Sequence, residues 1–188
     1  WVGHDFGEGT MSPSGYPLTV REWTRGQKLE DAVEIWRGQP GDVVAAGSAY
    51  WDKGHRYKVW YRAQTFYDTE HFASRPDAPG EMVRIDIPSD FSFNTFADHV
   101  VIHCKSEWRV SDTHTFKAGS VVAHPADAFL RGERAEFTVL YSPEDERCAY
   151  AGSTETKDYV MVHALEHMMT RVYVWRFDHE TSSFSFVK

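Results

Sequence analysis

The chain has 188 residues, of which 41% are hydrophobic and 15% aromatic, so it can bury a core and intrinsic disorder is not expected. Its formal net charge of −8 argues against a nucleic-acid partner, because phosphate binding needs the clustered Lys and Arg that this sequence lacks. No apolar run approaches the roughly 20 residues of a membrane span, and two cysteines, Cys104 and Cys148, are too few for a disulfide framework.

Short runs of β-branched and aromatic residues recur between turn signals along the whole chain, and they predict short antiparallel strands. The runs lie at residues 18–23, 33–36, 43–50, 57–61, 82–87, 100–104, 120–123, 136–141, 159–164, 172–177 and 183–187. One short helix is predicted at 125–130, because Pro125 suits a helix start and Gly132 follows the end. The pattern therefore predicts an all-β fold with little helix.

An internal repeat indicates how the strands are organised. The sequence DHVVIH at 98–103 matches DYVMVH at 158–163 in residue type, and a strand that ends in Pro precedes each copy. Repetition at about 50 to 60 residues, with several short strands in each unit, is typical of propeller blades. We predict one domain over residues 1–188, made of three to four antiparallel blades that form a partial propeller. A β-sandwich is the alternative.

Several ordered motifs carry a resemblance to a known family. They are GHDFG at 3–7, SGYP at 14–17, VREWTRG at 20–26, SEW at 106–108, FKAGS at 116–120, FLRG at 129–132 and FTVL at 137–140. In this order they resemble the middle of the N-terminal propeller of the prolyl oligopeptidase family. His4 stands where that family usually has Thr, and residues 165–172 replace a turn that is usually richer in Asp.

The resemblance implies a two-domain serine peptidase, in which a propeller restricts entry of short peptides to an α/β-hydrolase domain. The partners it implies are that C-terminal hydrolase domain and the short peptide substrates. The chain opens at Trp1 without an initiator Met, which fits a piece of a longer protein, from either the cytoplasm or the periplasm. An arc of three to four blades leaves its end faces uncovered, so we also expect the piece to self-associate.

The sequence predicts no catalytic serine in this chain. A nucleophile elbow needs Gly-x-Ser-x-Gly, and that pentapeptide does not occur. The Gly-Ser pairs at Ser48, Ser120 and Ser153 lack the flanking glycines and fall in strand or turn contexts. We therefore expect no catalytic, cofactor-binding or metal-binding residues, and a chain that is not catalytic by itself.

One motif favours a different chemistry. His163, Glu166 and His167 match His-x-x-Glu-His, in which two His on one helical face hold Zn²⁺ and Glu activates water. The flanking residues alternate as in two strands joined near Glu166 and His167, which places the motif across a hairpin instead. A third ligand would have to be Asp178 or Glu180. A small zinc hydrolase and a stand-alone β-rich binding module remain as alternative functions, and we expect no stoichiometric zinc at the motif.

The remaining candidates are interpreted as structural. His99 and His103 share one face of a predicted strand while Cys104 points the other way, which does not predict a tight metal cluster. Arg62, amid Trp60 and other aromatic residues, suits either a structural role or a tunnel wall that meets a peptide carboxylate. The structural role is the favoured interpretation.

Overall fold

The computed structural model describes residues 1–75, 78–112 and 114–188, and these residues form antiparallel strands with little helix. They divide into two compact units. Unit 1 contains Trp1–Trp51 and Arg56–Asp90, and unit 2 contains Asp52–His55 and Phe91–Lys188. None of the helices in the described residues has the length and apolarity that crossing a membrane requires.

Unit 1 holds a two-stranded antiparallel sheet and, apart from the β3–β4 hairpin tip at Asp52–His55, a four-stranded antiparallel sheet. The pair joins β1 (Thr19–Glu22) to β2 (Val33–Arg37), with a single 3-10 turn at Leu29–Asp31 between them. The larger sheet is a meander whose four strands follow one another in space as in sequence. Its strands are β3 (Val44–Asp52), β4 (His55–Ala63), β5 (Thr69–Arg75) and β6 (Ala78–Arg84).

A close approach within unit 1 explains one glycine. Trp60 of β4 is buried, and its indole packs against the backbone of β3 at Gly47. A Cβ at Gly47 would lie 2.7 Å from Cδ1 of Trp60, closer than any real contact. Glycine is therefore the residue that lets the indole reach this strand.

The second four-stranded sheet lies in unit 2 and has the order β7-β8-β11-β12. Its strands are β7 (Ser92–Phe96), β8 (His99–His103), β11 (Val121–Pro125) and β12 (Thr138–Tyr141). Two-residue strands β9 (Trp108–Arg109) and β10 (Thr115–Phe116) form a small ribbon between β8 and β11 in sequence. Helix α1 (Ala126–Leu130) follows β11 at once, as Pro125 predicts.

The third four-stranded sheet, also in unit 2, is a meander of β13 (Cys148–Glu155), β14 (Tyr159–Glu166), β15 (Met169–Asp178) and β16 (Ser183–Phe186). Val160, Val162 and Ala164 alternate on the buried face of β14. They pack with Phe96 and Leu140 of the second sheet into one core. Alternation of this kind is what the sequence predicts for a half-buried strand.

The all-β fold class is confirmed, and the three four-stranded antiparallel sheets have the form of propeller blades. Their first strands begin at Val44, Ser92 and Cys148, so the sheets recur at similar intervals along the chain. The internal repeat has a structural basis, because its first copy contains β8 and its second copy contains the first part of β14, each the second strand of its sheet. The prediction missed β5, β7, β9, β10 and β13, and it extended the strand at 82–87 beyond Arg84, where β6 ends.

Candidate functional site

The His-x-x-Glu-His motif lies across the β14–β15 hairpin, as the alternating flanks predict. His163 and Glu166 belong to β14, and His167 forms the two-residue turn with Met168. Both turn residues have positive φ, 49° and 68°, which is the backbone of a tight hairpin turn. The motif therefore does not present its two histidines on one helical face.

Each member of the motif has a different neighbour. Nε2 of His163 lies 2.9 Å from Oγ1 of Thr154. Glu166 accepts a hydrogen bond of 2.5 Å from the hydroxyl of Tyr173. That hydrogen bond, together with burial, raises the pKa of Tyr173 to about 12. The carboxylate of Glu166 is thus used in orienting a tyrosine.

The candidate third ligands are remote from the turn. Asp178 ends the ten-residue strand β15, roughly 30 Å along the strand from Met169 at a rise of about 3.3 Å per residue. Its carboxylate accepts hydrogen bonds from the backbone N–H groups of Glu180 and Thr181, at 2.8 and 3.2 Å. These hydrogen bonds lower its pKa and shape the β15–β16 turn. The three-ligand arrangement of a zinc peptidase is not assembled from the motif.

Beside His167 lies a cluster that the sequence analysis did not find. The ligand atoms of Asp145, Cys148 and His167 all lie within 4.8 Å of one another. Sγ of Cys148 is 3.5 Å from Oδ1 of Asp145, and Nε2 of His167 is 3.6 Å from Oδ2. Asp145 and Cys148 are three residues apart, but His167 joins them only through the pairing of β13 with β14, in which Cys148 faces Glu166. The sequence feature that could have indicated this cluster is the Asp-x-x-Cys spacing of Asp145 and Cys148.

The serines of the Gly-Ser pairs do not form nucleophile elbows. Ser48 lies in β3 and Ser153 in β13, while Ser120 is buried immediately before β11 with its hydroxyl 3.4 Å from that of Ser142. An elbow needs a strand-to-helix turn. The α-helix of the described residues, α1, begins several residues after Ser120.

Arg62 belongs to an ion-pair network in unit 1. Its guanidinium lies 3.0 Å from Oδ1 of Asp42 and 2.7 Å from Oε2 of Glu70. Glu70 also meets Arg84 at 3.3 Å. Since two carboxylates already hold Arg62, the geometry favours the structural interpretation over a contact with a peptide carboxylate.

The remaining residues that the sequence analysis considered, His99, His103 and Cys104, lie in unit 2. His99 is buried, its Nδ1 lies 2.8 Å from Oδ1 of Asp98, and its ring packs edge-on against Phe177. His103 packs against Tyr150 with ring centroids 4.2 Å apart. Burial lowers the pKa of His103, and the charge of Lys105 adds to this. Cys104 and Cys148 are both buried free thiols.

A cleft of about 220 Å³ lies in unit 1. Trp1 and Trp60 stack at its wall with ring centroids 5.1 Å apart. The buried Nε1 of Trp60 has no hydrogen-bond partner among the described residues. Lys58, Glu22 and Glu81 add charges of both signs to the lining. Aromatic rings beside charges of both signs can contact a side chain of a bound ligand.

Comparison with known proteins connects this fold to peptidases. A protein of Sinorhizobium fredii described as an uncharacterized peptidase is 29% identical over 179 residues, which cover 92% of this chain and 24% of that protein. A post-proline cleaving enzyme from Rickettsia typhi matches with a TM-score of 0.81 at 18% identity, over 98% of this chain and 27% of the enzyme. The resemblance to prolyl oligopeptidases is confirmed.

Further comparison agrees with this resemblance. A prolyl endopeptidase studied for inter-domain dynamics matches with a TM-score of 0.54 at 13% identity, over 83% of this chain and 21% of that enzyme. No family model matches the chain. The prolyl oligopeptidase-like chain spans about a quarter of the length of the relatives it matches.

Proposed function

We propose that the chain supplies propeller blades that restrict access to the active site of a prolyl oligopeptidase-like serine peptidase acting on short peptides. The observation that carries the proposal is the match of nearly the whole chain to about a quarter of a post-proline cleaving enzyme. The three blade-like sheets and the absence of Gly-x-Ser-x-Gly from the sequence support it. The chemistry would then belong to a hydrolase domain outside this chain.

The reading frame that contains this sequence provides the test. We expect it to encode an α/β pattern with Gly-x-Ser-x-Gly, then Asp, then His. The purified full-length protein should cleave a short proline-containing peptide and spare the same cleavage sequence placed inside a folded protein. Equal cleavage of both substrates would contradict the gating role, and it would leave the peptidase assignment standing.

The cleft at Trp1 and Trp60 favours a second candidate, a stand-alone β-rich module that binds an aromatic or peptide ligand. A reading frame without a hydrolase domain would favour this module over the peptidase. The zinc hydrolase alternative loses support, because His163 and His167 face different partners across a hairpin.

A further inference from the structure

The end of the third sheet brings a carboxylate, a thiol and an imidazole together. Asp145 stands on the turn that leads into β13, Cys148 is the first residue of β13, and His167 stands on the turn between β14 and β15. This cluster has no part in the proposed gating function. From it we propose a divalent metal site, with Zn²⁺ as the matching ion, whose ligands are Asp145, Cys148 and His167. This proposal replaces the sequence-based expectation that the chain has no metal-binding residues, and it uses only His167 of the His-x-x-Glu-His motif.

The spacing of the ligand atoms fits a tetrahedral ion. With Zn–S near 2.3 Å and Zn–N or Zn–O near 2.0 to 2.1 Å, two ligand atoms on a tetrahedral Zn²⁺ lie roughly 3.3 to 3.6 Å apart. Sγ of Cys148 lies 3.5 Å from Oδ1 of Asp145, and Nε2 of His167 lies 3.6 Å from the other oxygen, Oδ2. One ligand atom from each of the three residues lies within 4.8 Å of the other two. Binding of one ion therefore requires the side chains to rotate so that a single oxygen of Asp145, the thiol and the imidazole approach each other.

The backbone holds the ligands in place before any ion binds. The N–H of Arg147 donates to Oδ1 of Asp145 at 2.8 Å, and the N–H of Cys148 donates to the carbonyl of Asp145 at 3.1 Å. The N–H of His167 donates to the carbonyl of Arg147 at 3.0 Å, which joins the two turns directly. Ligands on turns fixed in this way lose little freedom on binding.

The charges and ligand types favour a borderline-soft cation. The guanidinium of Arg147 lies 2.9 Å from Oδ2 of Asp145, and its side chain is 71% exposed, so a bound ion can displace it into solvent. A thiolate and an imidazole with one carboxylate select zinc over calcium or magnesium, which prefer oxygen ligands alone. Three protein ligands leave the fourth position of the ion open to solvent.

The test is titration of the 188-residue chain with Co²⁺, a spectroscopic substitute for Zn²⁺, followed by Zn²⁺ competition. We expect one equivalent of Co²⁺, a thiolate-to-cobalt charge-transfer band, and displacement by Zn²⁺. Cys148→Ser should abolish the band, and His167→Asn should weaken binding at least tenfold. Asn is chosen because it tolerates the positive φ of the turn.

His163→Ala is the matched control, since His163 lies three residues before Glu166 on β14, about 10 Å along the strand, and contacts Thr154. It should leave Co²⁺ affinity unchanged. Far-UV circular dichroism of every variant identifies any that fails to fold. Three results would overturn the proposal: no stoichiometric Co²⁺ at micromolar concentration, a charge-transfer band that survives in Cys148→Ser, or binding lost in His163→Ala but kept in His167→Asn. The last result would restore the zinc hydrolase motif.

Discussion

The carboxylate of Asp98 accepts a hydrogen bond from the hydroxyl of Ser182, 84 residues further along the chain. The same carboxylate meets Nδ1 of His99 at 2.8 Å. Asp98 stands in the turn between β7 and β8, and Ser182 stands in the turn between β15 and β16. This carboxylate therefore ties the second and third sheets of unit 2 together at their turns.

The stability that the Asp98 carboxylate contributes by linking these two sheets should depend on pH. Burial alone would raise the pKa of Asp98, but hydrogen bonds from His99 and Ser182 outweigh it and hold the pKa at about 2, below the usual 3.8. Because the folded-state pKa is depressed, the stabilisation is present above pH 4 and is lost as the pH falls through 2. The side chain is about one-third exposed, so screening reduces the contribution to about 1 kcal/mol.

The substitution Asp98→Asn tests whether the ionised carboxylate stabilises the contact between the two sheets. At pH 7 the variant should lower the free energy of unfolding by about 1 kcal/mol, and the difference should shrink between pH 4 and pH 2. Urea unfolding followed by fluorescence at several pH values measures it. Asp112→Asn is the control, because Asp112 is 94% exposed and should change nothing. A difference between Asp98→Asn and the parent chain that stays constant down to pH 2 would exclude the ionised carboxylate as its cause.

Gly47→Ala should destabilise the chain by about 1 to 3 kcal/mol, because the added methyl collides with the buried indole of Trp60 and forces it to shift. Gly80→Ala in β6 is the matched control. A Cβ there meets nothing within 4 Å, so stability should stay unchanged or rise by less than about 1 kcal/mol. Thermal unfolding followed by tryptophan fluorescence compares the two. Equal effects of the two substitutions would contradict the close approach of Trp60.

The chain alone should not hydrolyse proline-containing peptides. Loss of one triad member costs about 10⁴ to 10⁶ in rate in serine peptidases, and the sequence contains no Gly-x-Ser-x-Gly. Activity should be measured beside labelling by a serine-directed fluorophosphonate probe. Stoichiometric labelling of the purified chain, with turnover blocked by the same probe, would contradict the proposal that the chemistry lies outside it.

Self-association should be detectable, and we expect it at the aromatic-rich strands near Trp1 and at 172–177. Val172, and Met168 in the adjoining β14–β15 turn, are exposed apolar side chains in the second of these regions. Sedimentation equilibrium at micromolar concentration should give a mass above the 21.6 kDa of one chain. Replacing both residues by Lys should weaken association at least tenfold, because charge opposes burial of an apolar face. Replacing the exposed Thr170 and Thr181 by Lys adds the same charge and should have a smaller effect. A monomer in the parent chain would refute this prediction.

Alternation of apolar and polar residues in the sequence predicts those strands that have one more buried face and one less buried face. In β14, Val160 and Val162 alternate with less buried residues, and the prediction at 159–164 falls within the strand. In β13, small and polar residues such as Gly152 and Ser153 give no such alternation. That strand exists because its backbone pairs with β14, so its signal is tertiary and not local.

Sequence pattern also predicts only the local part of the candidate sites around His167. The hairpin at His167 follows from residues that are close in sequence, which is why the flanks predict it. The meeting of His167 with Asp145 and Cys148 depends on which residue of β13 faces which residue of β14. A shift of one residue in that pairing would turn Cys148 to the other face of the sheet. Sequence pattern alone does not specify this register.

Every pairing in the third sheet joins strands that follow one another along the chain, so only short loops close as it forms. The second sheet differs, because β8 must pair with β11 across the segment that carries β9 and β10. Closing a longer loop costs more chain entropy before any contact repays it, and local topologies fold faster. During folding of unit 2, we therefore expect the third sheet to form early. The second sheet should then form and pack against the apolar face of the third sheet.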